Sequence, residues 1–301
     1  MASSIRVFVM SESIGGGPQT HRQSPARRLW HDLSANYIAL GAIAVLLLFL
    51  LAALVAPLVS PYDPFLVYPY ESLQPPTPAH WMGTDLLGRD IFSRIIFGAR
   101  ISLLVGFVSV GVSAVLGVTM GLLAGYYGGF VDNLVMRIID TLMAFPGILL
   151  ALTIVALLGP GIGNVMIAVG IGGIANFARL VRSSVLSIKE EVYIEAARSI
   201  GARDRRIMLR HILPNALPPV LVLASMSYGW ALLSAAGLSF LGLGAEAPAP
   251  EWGAMLSDGR ALLWDAPWTA VFPGIAIMCV VLSTNLLGDA LRDALDPRLR
   301  V

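Results

Sequence analysis

The run Glu195-Ala196-Ala197-Arg198-Ser199-Ile200-Gly201-Ala202-Arg203, continuing through Asp204-Arg205-Arg206-Ile207-Met208-Leu209-Arg210 to His211-Ile212-Leu213-Pro214, is a charged bend set between two long uncharged blocks, 141–178 and 212–245. A helix of small and polar residues meets Gly201, which suits the left-handed stop of a helix. A second helix follows, with Ile207, Met208 and Ile212 on one side and Arg203, Arg205, Arg206 and Arg210 on the other. A short helical hairpin outside the membrane, small-faced on one side, is shaped to dock in a partner's groove. A solvated basic loop would account for the arginines. It would not account for the spacing of Glu-Ala-Ala, Gly and Leu-Pro.

Outward from this bend the chain is apolar. Uncharged blocks cover 33–62, 101–131, 141–178, 212–245 and 266–288, each long enough for the roughly 20 residues that cross a bilayer as helix. The block 141–178 exceeds one crossing, and Gly159-Pro160-Gly161 divides it. Six transmembrane helices are therefore expected, at 37–59, 101–125, 131–158, 163–185, 215–243 and 267–289, giving an all-α membrane protein. The whole composition agrees: 301 residues are 56% hydrophobic and 13% charged, with a mean hydropathy of +0.77. Soluble chains carry about a quarter charged residues, so a soluble enzyme is disfavoured. A net charge of +1 gives no sign of nucleic-acid binding. The single cysteine, Cys279, excludes an intrachain disulfide and reads as apolar packing. The single lysine, Lys189, sits in Ser-Ile-Lys-Glu-Glu, so the chain has no phosphate-binding loop of its own.

Charge bias sets the topology. Arg6, Arg22, Arg27 and Arg28 precede the first helix, whose apolar core is too long for a cleaved signal. With six crossings both termini are expected in the cytoplasm, together with Arg179, Arg182, Lys189 and the arginines of the 186–213 loop, and with Arg292, Arg298 and Arg300 of the tail. Only Arg89, Arg94, Arg100 and Arg260 fall outside. The outer stretch 60–82 is rich in proline and aromatics and reads as extended. Beyond it, Thr84 or Asp85 is placed to cap a short amphipathic elbow with Asp85–Arg89 and Asp90–Arg94 pairs. The loop Ala247–Gly253 reads as stiff, and Trp252, Trp264 and Trp268 as an interfacial aromatic belt.

The spans exclude some chemistries. Arg137, Asp140, Arg179, Arg182 and Asp289 all fall toward cytoplasmic helix ends, leaving no ionisable midplane group for ion coupling; Asn176 and backbone carbonyls are what remains for it. His21, His31, His80 and His211 lie outside the spans or at an edge, so no buried serine, Ser239 included, has an evident base. No His, Asp or Glu cluster has zinc spacing, so no metal site is expected. Gly117, Gly121 and Gly125 bare one face of the second helix for close helix packing within the chain. Pro146 should kink the third.

Taken together these segments resemble the inner-membrane permeases of type I ABC importers. Glu195-Ala196-Ala197, Gly201 and Ile212-Leu213-Pro214 are similar to the coupling motif of that family. Gly83-Thr84-Asp85 with Gly88-Arg89-Asp90 and Ser93-Arg94, Ala144-Phe145-Pro146-Gly147, Leu238–Gly242 with Pro250–Gly253, and the tail Leu287-Gly288-Asp289, Leu291-Arg292-Asp293 and Leu295-Asp296-Pro297 resemble its dipeptide/oligopeptide/nickel group, second and shorter permease. The resemblance covers the chain from about residue 37 onward. It implies a cytoplasmic N-terminal tail 1–36, a first helix 37–59, an extracytoplasmic segment and elbow 60–100, a five-helix core 101–289 carrying the hairpin 186–213, and a tail 290–301. Its implied partners are a homologous second permease, two ABC ATPases that bind the ATP and Mg, an extracytoplasmic solute-binding protein and the lipid of the inner membrane, with no nucleic acid. On this resemblance Glu195, Ala196, Ala197 and Gly201 seat the hairpin in an ATPase groove, and Leu213-Pro214 redirects the chain into the fifth helix. No residue is catalytic and no cofactor is bound. The substrate implied is a di- or oligopeptide, glutathione among them, with nickel transport or an ion-coupled carrier as alternatives; no substrate-binding residue is assigned.

Overall fold

The computed structural model describes residues 33–295. Arg6, Arg22, Arg27 and Arg28 and the end of the tail from Asp296, with Pro297, Arg298 and Arg300, lie outside the described residues. Helices dominate the described residues, which hold one isolated antiparallel bridge between Thr84 and Asp90 and no sheet.

Helix α1, Tyr37–Leu54, starts where the Asn36 side chain accepts from the Ile38 and Ala39 amides at 3.0 and 3.1 Å. It is apolar all round with Leu47, Leu48 and Leu51 exposed, as a lipid-facing span requires. The expected 37–59 helix breaks at Val55, and a separate turn, Ala56–Val59, finishes it. Arg100, read from sequence only as an outer arginine, closes α1: its guanidinium donates to the Ala53 carbonyl and, at 3.0 Å, to that of Leu54. A cation over the last carbonyls of a helix satisfies groups that have no intrahelical donor.

The elbow is not a separate element. Helix α2 runs unbroken over Ile91–Tyr127 and is capped by Asp90, whose carboxylate accepts from the Ser93 amide at 2.8 Å. The expected Asp85–Arg89 pair forms at 2.6 Å, but Asp90–Arg94 does not. Asp90 is committed to the cap and to His80 Nδ1 at 2.9 Å, while Arg94 donates to the carbonyls of Pro64 at 3.0 Å and Pro248 at 3.3 Å. Prolines of the 60–82 stretch keep it largely irregular, with one 3₁₀ turn at Pro69–Glu71.

Gly117, Gly121 and Gly125 do bare one face of α2, and helix α5, Ile162–Ile188, lies on it. A Cβ at Gly117 would sit 2.7 Å from the Ile174 carbonyl, and one at Gly121 would sit 2.4 Å from that of Ala178. The two backbones therefore pack at a distance that only glycine permits.

The third helix departs most from expectation. In place of a kinked 131–158, the chain forms α3, Gly129–Met143, and α4, Gly147–Leu158, bent by 90°. Pro146 is extended (φ −54°, ψ 130°), and a residue before proline also avoids helical angles, so two neighbouring positions leave the helix together. Five helices are individually long and apolar enough to cross a membrane among the described residues, and six if this bent pair is one span.

After α5 come α6, Val192–Ser199, and α7, Asp204–Ile207, then α8, Leu213–Phe240, α9, Trp252–Gly259, and α10, Trp268–Leu295. Trp252 is not at an aromatic belt: it is fully buried, its indole donating to the Ile95 carbonyl at 3.0 Å. Gly98 makes the room, since a Cβ there would lie 2.0 Å from the Pro250 carbonyl. Trp264 is exposed, and Trp268 donates to the Thr84 carbonyl at 3.1 Å. Glu251 caps α9, accepting from Gly253 and Ala254, while burial pushes its carboxyl above the usual carboxylate range.

The glycine contact yields a paired expectation. Gly121→Leu should lower the thermal midpoint of the detergent-solubilised protein, by overpacking worth about 1–3 kcal/mol. Gly111→Leu, on the same helix with nothing within 4 Å of its Cβ position, should leave the midpoint unchanged.

Candidate functional site

The hairpin begins with two buried residues three apart. Ile194 and Ala197 point into the protein's main core, and Val192, Tyr193, Glu195, Ala196, Arg198 and Ile200 are exposed. That spacing gives α6 one narrow apolar stripe and leaves the rest of its surface free. Of the three residues of the Glu-Ala-Ala motif, Glu195 and Ala196 thus face outward, while Ala197 packs against the chain's own core.

Gly201 ends α6 with φ +79°. The Ala202 amide donates to the Ala197 carbonyl at 3.0 Å and the Gly201 amide to that of Arg198 at 2.9 Å, the paired bonds of a Schellman stop. Nothing lies within 4 Å of a Cβ built at Gly201, so the demand for glycine there is conformational and not steric.

The second limb is α7 followed by a π turn, Met208–Ile212, that leads directly into α8. Ile207, Met208 and Ile212 are buried in the same core as Ile194, and Arg203, Arg205, Arg206 and Arg210 are exposed, as the apolar and charged sides of the sequence predict. The wider π turn fits a one-then-four spacing of buried residues and the absence of an amide proton on Pro214. Leu213 and Pro214 do not mark a corner. They lie inside one helical run, Asp204–Phe240, with Leu213 half-buried and Pro214 exposed. Asn215 helps bridge the irregularity, its amide donating to the His211 carbonyl at 2.6 Å and to the Tyr193 hydroxyl at 3.2 Å.

Side chains from the neighbouring helices tie this end together. Tyr126, near the end of α2, donates its hydroxyl to Asp204 Oδ1 at 2.6 Å, and the Arg198 guanidinium lies over its ring, 5.7 Å from the centroid. Lys189 donates to the Gly125 carbonyl at 3.4 Å. Arg182 holds Asp132 of α3 through two bonds of 2.5 Å, and Arg179 holds Asp140 at 2.6 Å. Sequence reading placed the two arginines at this end but passed over Asp132 and Tyr126. The Tyr126–Asp204 contact joins residues 78 apart, with no periodicity to signal it. A cavity of about 650 Å³ opens between α5, α8 and α10, lined by Asn176, Arg179, Pro218, Pro219, Met226 and Arg292 among others.

Against known proteins, residues 117–301 match the family described as binding-protein-dependent transport system inner membrane component, and residues 24–76 match the N-terminal transmembrane domain of oligopeptide transport permease C. The dipeptide transport system permease protein DppC of Alkalihalophilus pseudofirmus is 50% identical over 277 residues, 92% of this chain and 91% of that one. The glutathione transport system permease protein GsiD of Pectobacterium atrosepticum is 50% identical over 279 residues, 92% of this chain and 93% of that one. Among solved structures, two inward-facing forms of the MetNI methionine ABC transporter share the fold. Their TM-scores are 0.52 and 0.53 at 20% and 22% identity, covering 67% and 65% of this chain and 96% and 94% of theirs.

The seating of the hairpin is open to direct test. Ile194→Ala removes a fully buried side chain and should destabilise the hairpin locally by about 2–5 kcal/mol. Hydrogen exchange should then rise across residues 192–207 while the interior of α5 stays protected.

Proposed function

This chain belongs to the multi-pass inner-membrane permeases of binding-protein-dependent, type I ABC importers, and we propose that it forms half of a translocation route for di- and oligopeptides, powered by ATPase subunits that dock on the hairpin. The other half of the route is a homologous second permease, and an extracytoplasmic binding protein delivers the solute. Two ATPases supply the energy, with ATP and Mg bound on them. This chain takes no catalytic step and holds no cofactor.

The observation that carries the reading is the surface of the hairpin. A helix that spends only Ile194 and Ala197 on its own core leaves Glu195, Ala196 and the exposed Ile200 available to another subunit. Ile200 is 86% exposed, and an aliphatic side chain beside a helix stop, outside the spans, is an anchor for a partner's groove. The continuous helix Asp204–Phe240 then carries any displacement of the hairpin into the membrane. In this reading Glu195, Ala196 and Gly201 form and present the docking edge. Ala197 is small enough to let that edge lie close to the core, and Leu213 and Pro214 belong to the shaft. The peptide assignment draws on the two relatives, whose names specify a dipeptide and glutathione, both built on the peptide unit. A nickel permease of the same group is the alternative.

Gly201→Val puts a β-branched residue at φ +79°, where side chains are strained by about 1–3 kcal/mol. The variant should insert into the membrane normally and lose solute-dependent, ATP-driven uptake in vesicles that hold the assembled importer. Uptake at the normal rate would remove the hairpin from the mechanism, and uptake of nickel in place of a labelled dipeptide would change the substrate.

A further inference from the structure

The backbone joins the hairpin to α5 through residues 189–191 and to α8 through the π turn, whereas α2 meets it through side chains. The side chain that ties α2 to the hairpin sits at the end of α2. Tyr126 lies one residue before the end of α2, buried to 9% exposure in the main core, with its hydroxyl 2.6 Å from Asp204 Oδ1 on the first residue of α7 and Arg198 of α6 over its ring. One side chain therefore touches both limbs of the hairpin, on either side of the Gly201 bend. A hydroxyl–carboxylate hydrogen bond is charge-assisted and stronger than a neutral one. The cation over the ring adds an attraction of a different kind.

What Tyr126 belongs to matters as much. One residue before it in α2 is Gly125, whose Cβ position would be 2.8 Å from Val185 of α5, and Gly121 and Gly117 continue the contact up the helix. Lys189, just past the end of α5, donates to the Gly125 carbonyl. A pull on Tyr126 is thus a pull on α2 and α5 together.

We infer that Tyr126 is the latch by which the hairpin holds the end of α2 in step with α5 and α8, Asp204 holding it from the second limb and Arg198 from the first. The inference rests on the hairpin being the docking element for the ATPases, and deepens that reading by naming how the stroke is divided. Tyr126 is a positioning residue: it touches neither solute nor nucleotide. Without it the hairpin would still dock and still move α5 and α8, but the end of α2 would lag, and hydrolysis would run without completing the rearrangement.

The test uses proteoliposomes holding the permease pair, the ATPases and the binding protein, with a labelled dipeptide as probe, and reads solute moved per ATP hydrolysed. Tyr126→Phe keeps the ring and removes the hydroxyl. It should lower that ratio roughly tenfold, the size expected for losing one hydrogen bond to a charged group, while the ATPases still co-purify. Asp204→Ala removes the acceptor from an exposed position and should lower the ratio in the same way, keeping the test alive if the tyrosine variant folds poorly. The double variant should be no worse than the worse single one, because both delete the same bond. A normal ratio in either single variant, or additive losses in the double, overturns the latch. Gly201→Val, measured alongside, separates the two ideas: if it too transports normally, the docking reading itself falls, whereas its failure beside a normal Tyr126→Phe removes the latch alone.

Discussion

The structure depends on the continuity of one helix. Residues Asp204–Phe240 leave the hairpin and enter the membrane without a break, despite three prolines at 214, 218 and 219. Each proline deletes an amide donor, yet the run stays continuous, entered through a π turn at Met208–Ile212 with the Asn215 amide on the His211 carbonyl. A hinge at this place would absorb motion. A continuous helix transmits it, and in the proposed mechanism it carries displacement of the docking edge around Glu195 and Ile200 into α8.

The remaining helices are joined in two ways, one at each end. At the hairpin end they are held by contacts that involve charged groups: Arg182 on Asp132, Arg179 on Asp140, Lys189 on a backbone carbonyl, Tyr126 on Asp204. Such bonds are directional and exchange readily with water where they are exposed. At the opposite end the ties are buried. Trp252, the first residue of α9, is buried in one cluster with residues of α2, α8 and α10, Arg94 spans two proline loops, and Asp90 both caps α2 and holds His80. Buried polar groups with satisfied partners are costly to rearrange. The ties away from the hairpin are therefore the more costly to rearrange.

Much of this was legible in the sequence, and the reasons differ by element. The spans could be read because a bilayer imposes length and apolarity on any helix within it, and the Gly201 stop because a left-handed residue after Glu-Ala-Ala leaves few alternatives to glycine. The close contact at Gly117, Gly121 and Gly125 was visible as a bare face, though its partner was not. The third helix misled because Pro146 in isolation predicts a kink, and only the joint constraint with the residues before it produces a 90° break. Trp252 misled because an aromatic near a span end is usually interfacial; its burial is set by Gly98, more than 150 positions away. Asp90 and Arg94 do not pair because Asp90 is taken by the α2 cap and His80, while Arg94 reaches carbonyls of Pro64 and Pro248 that are distant in sequence. At the hairpin the fold of each limb was readable, and Tyr126 was not, because nothing local to residue 126 marks it.

The central claim is that this chain moves solute only when other subunits do the work. It is tested most directly by solute accumulation in proteoliposomes that hold the purified chain alone, under a proton or sodium gradient and without nucleotide, beside vesicles that hold the assembled importer with ATP. The account predicts accumulation in the second and none in the first. Uphill accumulation by the chain alone would contradict it.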